Sequence, residues 1–160
     1  MLERLGDLEV SVRLYDPYVS KAQARLLGAE LVSLDELMST SDIVSLHPPL
    51  NETTQGMIDA RHLSLMKDGA TLINTSRGLV VDQDALVREL SSGRIDAILD
   101  VTHPDVLPAD HPLYDLSNVF LTPHISGSMG PEIGRMGEHV ASELSRIVHG
   151  QPLAFPETAA

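Results

Sequence analysis

The sequence predicts an α/β domain built on a doubly wound parallel sheet. Short and nearly continuous apolar runs alternate with helix-like stretches along most of the 160 residues, and strands buried on both faces have this composition. Hydrophobic residues make up 42% and charged residues 21%, which is typical of a globular chain rather than a disordered one. The sequence has neither an internal repeat nor a low-complexity segment.

Strands are predicted where short apolar runs end at proline or at polar residues. The first run ends at Asp16 and Pro17, and the third ends at His47 and Pro48. These runs have three to seven residues, which is within the usual length of a strand. The predicted strands are residues 10–15, 29–32, 42–46, 70–74, 95–101 and 119–121.

Helices are predicted from capping and stop signals between these strands. Gly28 is placed as the C′ residue that ends the first helix. Ser33 and Glu36 have the spacing of a capping box at the start of the second helix. Asp82 is the expected N-cap of the fourth, which Gly93 ends. The predicted helices are residues 21–27, 34–39, 59–66, 83–92 and 131–149.

The last of these helices is long and amphipathic. Pro131 is a favoured first residue of a helix, and Gly150 and Pro152 end it. Its apolar residues keep helical spacing at Ile133, Met136, Val140, Leu144 and Ile147. Residues 154–160 are expected to be a flexible tail.

Charge and composition exclude several classes of partner. The chain has 11 Lys and Arg against 23 Asp and Glu, a net charge of −12, so we expect no nucleic-acid or membrane contact. No apolar run approaches the roughly 20 residues of a membrane span. The N-terminus lacks the apolar region of a signal peptide, so a cytoplasmic protein is expected. Without cysteine, and with histidines that lack ligand spacing, no metal site is expected.

Polar side chains collect at the carboxyl ends of the predicted strands, which converge at one edge of a doubly wound sheet. They are Asp16, His47, residues 74–78, Asp100 and His124. They offer an acid for a ribose hydroxyl, a guanidinium for an anion and an imidazole for a proton. Plainer interpretations stay open: Asp16 forms only a turn with Pro17, and Arg77 is a solvated loop charge. His47 and His124, each beside a proline, are strand-end caps in that alternative.

Two further features concern ligand binding. Residues 102–118 form the longest irregular connection, and they follow the carboxyl end of a predicted strand, where open α/β sheets bind ligands. No two glycines stand two residues apart, so the G-x-G-x-x-G turn that holds dinucleotide phosphates is not found in this sequence.

Four sequence blocks occur in a specific order. They are residues 41–50 with Thr54, residues 66–78, residues 99–101 followed by Leu107-Pro108 and Pro112-Leu113, and residues 118–124. In content and order these blocks resemble the D-isomer-specific 2-hydroxyacid dehydrogenases. The resemblance covers about residues 10–153 of the chain.

The resemblance implies that residues 1–153 are a partial, Rossmann-like NAD-binding domain with a C-terminal helix. The family has two domains and binds its substrate in the cleft between them. Asp16 matches the acidic ligand of the cofactor ribose, which favours NAD over NADP because a carboxylate repels a 2′-phosphate. The implied cofactor contacts are Asp16, Pro48, Thr75, Ser76, Arg77, Asp100, His124, Ser126 and Gly127.

The resemblance also implies a catalytic trio of arginine, acid and histidine. Arg77 matches the arginine, which binds the substrate carboxylate and polarises the reacting carbonyl. His124 matches the histidine, which exchanges a proton with the substrate oxygen. Asp105 stands where the family has glutamate, and Val106 replaces the usual proline. Aspartate keeps the charge but is one methylene shorter, so the contact with the histidine is expected to be less well tuned.

The match departs from the family at its start. The first nucleotide-binding strand and its glycine loop are expected before the strand that ends at Asp16, whereas residues 1–7 resemble only the end of the following helix. We therefore expect a truncated domain that lacks this strand and loop, together with the amides that hold the pyrophosphate. The substrate domain is expected to be absent too, which leaves one face of the helix at 131–149 exposed.

Two functional hypotheses follow from the resemblance. The first is an NAD-dependent oxidoreductase that reduces small 2-oxo acids to 2-hydroxy acids. The second is a non-catalytic remnant or dimerisation module with weak or no cofactor binding. A homodimer, or pairing with a full-length relative, is expected because the family dimerises mainly through this domain. A third hypothesis is that the true start lies upstream of Met1.

Overall fold

The structure is a computed structural model that describes residue 5 and residues 8–156. The chain forms two compact units that divide after His124. The first unit holds the strands, and the second holds one long helix. Features that the sequence predicts for residues 1–4, 6–7 and 157–160, including most of the C-terminal tail, lie outside the described residues.

The strands of the first unit form two parallel sheets. Strand β1 (Val12–Leu14) pairs with β2 (Ala29–Leu31). The second sheet has the order β3 (Ile43–Leu46), β4 (Thr71–Asn74), β5 (Asp96–Leu99) and β6 (Val119–Leu121). Each of the six predicted strands is confirmed, and all but the last are shorter than predicted. Pairing stops where either neighbour leaves the sheet, and the sequence pattern does not show that point.

Helices connect these strands as predicted. The helices are α1 (Lys21–Leu26), α2 (Leu34–Thr40), α3 (Ala60–Leu65) and α4 (Gln83–Ser91), with short 3₁₀ helices at Gly78–Val80 and Pro112–Tyr114. Asp59 and Asp82 cap α3 and α4 by accepting the N–H groups of His62 and Ala85. Gly28 follows α1 with a φ of +74°, which is the left-handed conformation expected of a C′ glycine.

The predicted capping box of Ser33 and Glu36 is only half formed. The Ser33 hydroxyl accepts the Glu36 N–H at 3.2 Å, but the exposed Glu36 carboxylate makes no return bond within the described residues. The complete capping box lies one helix earlier, between Ser20 and Gln23. There the neutral side-chain oxygen of Gln23 accepts the Ser20 N–H at 2.8 Å.

Helices α2, α3 and α4 bury one face of the four-stranded sheet. On this face the strand residues Val44, Leu72 and Leu99 are at most 2% exposed. They form one cluster with Leu63 of α3 and Leu90 of α4. This cluster is the core that fixes the carboxyl ends of the strands, so it also fixes the loops that follow them.

The other face of the same sheet carries apolar side chains that are open to solvent. Ile43 and Phe120 are each 63% exposed, and Ile98 is 38% exposed. They belong to the opposite face because successive strand residues alternate in direction. The parallel, helix-flanked sheet that the sequence predicts is confirmed, and its two faces differ strongly in burial.

The second unit contains the predicted C-terminal helix, α5 (Pro131–Val148). Its apolar residues are all more than half exposed: Ile133, Met136, Val140, Leu144 and Ile147. After the helix, the Ala154 N–H bonds to the Glu143 carboxylate at 3.1 Å, and the Phe155 ring lies 5.1 Å from that of His139. None of the described helices combines the length and the apolar character needed to cross a membrane.

Candidate functional site

The carboxyl ends of β4, β5 and β6 are tied to one another. The Asp100 N–H bonds to the Asn74 carbonyl at 3.0 Å, and the Thr122 N–H bonds to the Leu99 carbonyl at 3.0 Å. The buried Asp100 carboxylate also accepts a hydrogen bond from the Thr122 hydroxyl. These bonds extend the sheet pairing beyond the strands, so the following loops begin side by side at one edge.

Asn74 builds the loop that follows β4. Its side chain is buried, with 2% exposure. Its Oδ1 accepts the Ser76 N–H at 3.0 Å and the Ser76 hydroxyl at 2.9 Å, while its Nδ2 donates to the Arg77 carbonyl at 3.0 Å. Asn74 is included in the polar run at residues 74–78 that the sequence indicates, but no cofactor or catalytic role is predicted for it. Asn74 lies two residues after Leu72 in the same predicted strand, so both side chains point to the same, core-facing side of the sheet. A polar residue at such a position could have been identified from the sequence.

A cleft of about 520 Å³ lies between the loops that follow β3 and β4, and this is the size of a small-molecule site. It is lined by His47, Pro48, Pro49, Leu50, Thr75, Ser76 and Arg77. The Arg77 side chain is exposed, and its Nη1 donates to the Ser76 carbonyl at 2.7 Å. Its other N–H groups bond to none of the described residues. The cleft thus offers a guanidinium next to two hydroxyls.

The wall formed by residues 47–50 is held by its own loop. The Thr54 hydroxyl donates to the Pro49 carbonyl at 2.6 Å, and the Asn51 side chain accepts the Thr53 N–H at 2.9 Å. The ring Nε2 of His47 lies 2.8 Å from the Ser45 hydroxyl. Desolvation by the surrounding protein lowers the pKa of His47, which favours the neutral imidazole at the cleft.

The loop that carries Asp105 is anchored next to Arg77. A Cβ atom at Gly78 would collide with the Thr102 carbonyl, so the two backbones touch only because Gly78 has no side chain. The Gln83 side chain bonds to both backbone groups of His103, at 2.6 Å and 2.8 Å. The Asp105 side chain itself is exposed and does not line the cleft.

His124 follows β6 at the same edge of the sheet. Its backbone has a φ of +54°, and its N–H bonds to the Thr122 carbonyl at 3.0 Å. A left-handed backbone is unusual for histidine and is found most often at turns and functional sites. The side chain is exposed and does not line the cleft.

The predicted cofactor contacts lie in different parts of the structure. Pro48, Thr75, Ser76 and Arg77 line the cleft. Ser126 and Gly127 belong to the second unit. Asp16 follows β1, and its Oδ1 accepts the Tyr18 N–H at 2.8 Å. The turn that the plainer interpretation assigns to Asp16 is thus present.

The donors of the cleft fit the nicotinamide end of a dinucleotide. Hydroxyl groups at Thr75 and Ser76 suit an amide, and the Arg77 guanidinium suits a carboxylate next to it. The sequence contains no G-x-G-x-x-G turn, so no pyrophosphate cradle is assigned to this chain. No group of three or more His, Asp or Glu side chains in the part of the chain that the structure describes is placed to hold a metal ion.

Comparison with known proteins gives a consistent set of relatives. Residues 1–126 match the family described as "D-isomer specific 2-hydroxyacid dehydrogenase, NAD binding domain". A D-3-phosphoglycerate dehydrogenase from Archaeoglobus fulgidus is 36% identical over 152 residues, covering 94% of this chain and 29% of the relative. A glyoxylate reductase from Korarchaeum cryptofilum is 44% identical over 138 residues, covering 86% of this chain and 42% of the relative.

A solved structure shows the same similarity in three dimensions. The holo form of D-mandelate dehydrogenase from Rhodotorula graminis matches with a TM-score of 0.87 at 32% identity, covering 99% of this chain and 47% of that one. The chain thus spans less than half the length of each of these relatives, between 29% and 47%.

Proposed function

The chain belongs to the D-isomer specific 2-hydroxyacid dehydrogenase family, through its NAD-binding domain, and we propose from this that it serves hydride transfer between NAD and a small 2-oxo or 2-hydroxy acid. The observation that carries the proposal is the cleft in which Arg77 stands beside Thr75 and Ser76. A planar guanidinium binds a carboxylate through two parallel hydrogen bonds, and 2-oxo acids carry that carboxylate next to the reacting carbonyl.

In the proposed reaction, each residue of the trio has one task. Arg77 binds the substrate carboxylate and polarises the carbonyl next to it. His124 donates a proton to the oxygen that becomes the hydroxyl, or accepts it in the oxidation direction. Asp105 pairs with the imidazole of His124 and orients it. NAD, when bound, supplies or accepts the hydride.

The remaining proposed contacts serve the cofactor. Pro48, Thr75 and Ser76 face the nicotinamide end from the cleft, and Asp16 accepts a hydrogen bond from a ribose hydroxyl. Because one oxygen of Asp16 already accepts the Tyr18 N–H, the other oxygen is the one assigned to the ribose. Asp100, Ser126 and Gly127 complete the proposed set.

Binding of oxamate, an isostere of a 2-oxo acid, tests the role of Arg77. In NMR spectra of the ¹⁵N-labelled chain, we expect oxamate to shift the amides of Ser76, Arg77 and Gly78. Arg77→Ala should weaken this binding by at least about tenfold, because a hydrogen-bonded ion pair is removed. Arg88→Ala is the matched control, since Arg88 is exposed on α4 outside the cleft. Equal affinity in wild type and Arg77→Ala would refute the proposal.

A second candidate function is that of a module that associates with another chain. The observation that favours it is the apolar sheet face at Ile43, Ile98 and Phe120, since exposed apolar patches of this kind mark association surfaces. In this proposal the partner is a second copy or a longer relative, and the setting is the cytoplasm. Weak binding of NADH by the purified chain, together with self-association, would favour the module over the enzyme.

A further inference from the structure

The loop that carries Asp105 lies outside the core between two buried anchors. Thr102 is 8% exposed and Leu107 is 5% exposed, whereas residues 103–106 between them are all exposed. An exposed segment of this kind gains little from apolar burial, so its position depends on polar contacts. The Thr102 hydroxyl supplies contacts within the loop, to the Pro104 carbonyl at 2.8 Å and to the Asp105 carbonyl at 3.3 Å.

Gln83 supplies contacts from outside the loop, and it uses both ends of its amide. Its Nε2 donates to the His103 carbonyl at 2.6 Å, and its Oε1 accepts the His103 N–H at 2.8 Å. This pair of bonds replaces the pairing that a neighbouring strand would give, so it fixes the orientation of the loop as well as its position. Gln83 is the first residue of α4, and its backbone is fixed by the Asp82 cap and by buried Ala85.

The loop also rests on the residue that follows Arg77. Gly78 touches the Thr102 carbonyl closely enough that any Cβ would collide with it. The loop is therefore held from two directions, by α4 through Gln83 and by the Arg77 loop through Gly78. Gln83 and His103 are 20 positions apart in the sequence. The hydrogen bonds between them connect the first turn of α4 to the loop beside Arg77.

We propose that Gln83 is a positioning residue, whose amide holds the loop at residues 102–107, and Asp105 with it, against the loop that carries Arg77. The inference rests on the proposed function, which gives Asp105 its role. Gln83 belongs neither to the proposed catalytic trio nor to the proposed cofactor contacts. In this proposal the residue that positions Asp105 lies in the first turn of α4.

Two variants separate the bonds that Gln83 makes. Gln83→Leu removes both bonds at similar volume, and Gln83→Glu keeps the acceptor for the His103 N–H but loses the donor. Hydrogen exchange at the His103 amide should become at least about tenfold faster in Gln83→Leu, with Gln83→Glu intermediate. In oxamate titrations, the Gly78 amide should shift in all three proteins, with Kd unchanged within about twofold. The Asp105 amide should respond in wild type, respond partly in Gln83→Glu and not respond in Gln83→Leu.

Asp84→Asn is the matched control, because Asp84 is the exposed neighbour of Gln83 on α4 and should behave as wild type in both measurements. A wild-type response of Asp105 in Gln83→Leu would overturn the positioning role. So would an unresponsive Asp105 in wild type when Gly78 shifts. If Gly78 shifts in none of the proteins, the proposed function fails and the positioning role fails with it, which is a different pattern from failure of the Gln83 role alone.

Discussion

At the scale of single residues, Gly78 is the described glycine at which an added Cβ atom has the least room. It separates Arg77 from the backbone of Thr102, and the added Cβ of an alanine would meet backbone atoms that cannot move aside as a flexible side chain can. We expect Gly78→Ala to lower the free energy of unfolding by about 1–3 kcal/mol, the usual cost of overpacking. Urea denaturation followed by circular dichroism measures this change.

Gly134→Ala is the control for this substitution. Gly134 lies within α5, and a Cβ there has no neighbour within 4 Å. Alanine is the better helix former by about 1 kcal/mol, so this variant should be neutral or more stable. Equal losses in the two variants would contradict the assigned collision at Gly78.

The residues that sequence analysis could and could not identify differ in a physical way. Arg77 and Pro48 are found from short sequence blocks and do line the cleft. Asn74 and Gln83 act through hydrogen bonds to the backbone of other residues. A bond from Gln83 to a residue 20 positions later depends on how two loops fold together, and no local pattern records that.

At the scale of elements, α2 and α3 are joined by an ion pair on the surface. Both Nη atoms of Arg61 on α3 donate to the Asp35 carboxylate on α2, at 2.9 Å and 2.7 Å. The hydrogen bond from Arg61 is the main reason that the pKa of Asp35 lies below its ordinary value of 3.8. Bidentate geometry favours this pair among exposed ones, which are usually weak.

The depressed pKa of Asp35 fixes the sign of a pH dependence. The Asp35 carboxyl binds a proton less readily in the folded state than in the unfolded state. The stabilisation that its ion pair with Arg61 gives is therefore present above the ordinary Asp pKa of 3.8, and it is lost as the pH falls through the lower pKa of the folded state. Asp35→Asn should therefore be less stable than wild type at pH 5.5, and the difference should shrink at pH 3. Urea unfolding at both pH values measures it, and a difference that grows in acid would contradict the assignment.

Helix and strand positions were largely predictable, but their ends were not. The N-cap at Asp82 and the stop at Gly28 follow from residue type alone, whereas Asp59, predicted as the first residue of its helix, is the N-cap. The capping box is a counter-example, since Ser33 and Glu36 fit the pattern while Ser20 and Gln23 form the complete box. Both pairs have the spacing of the motif, so spacing alone does not show which pair forms the complete box.

At the scale of the whole molecule, net charge and exposed apolar surface act against each other. Each copy carries a net charge of −12, which disfavours self-association. Salt screens this repulsion, because the Debye length falls from about 30 Å at 0.01 M to about 8 Å at 0.15 M. If the apolar sheet face drives association, sedimentation velocity should show a dimer fraction that rises with salt. A monomer at every salt concentration would exclude a second copy as the partner of the second candidate function.

The pairing of strands is also a property of the whole molecule, and the sequence does not show it. The pattern of apolar runs predicts that each strand exists and that helices lie between strands. It does not show that β1 and β2 pair apart from the four-stranded sheet, because pairing depends on which strands are neighbours in space. The unequal burial of the two faces of that sheet follows from the same arrangement.

The wholly parallel pairing has a consequence for how the chain reaches its native state. Val12 pairs with Ala29, 17 residues later, and the first pairs of the larger sheet, Ile43 with Thr71 and Thr71 with Asp96, are 28 and 25 residues apart. No hairpin exists among the described strands to form early and locally. Each of these three pairings must close a loop that contains an α-helix, so the entropy of loop closure comes before any gain from the sheet. The helices are therefore expected to form first, and folding should be slower than that of a helical bundle of the same length.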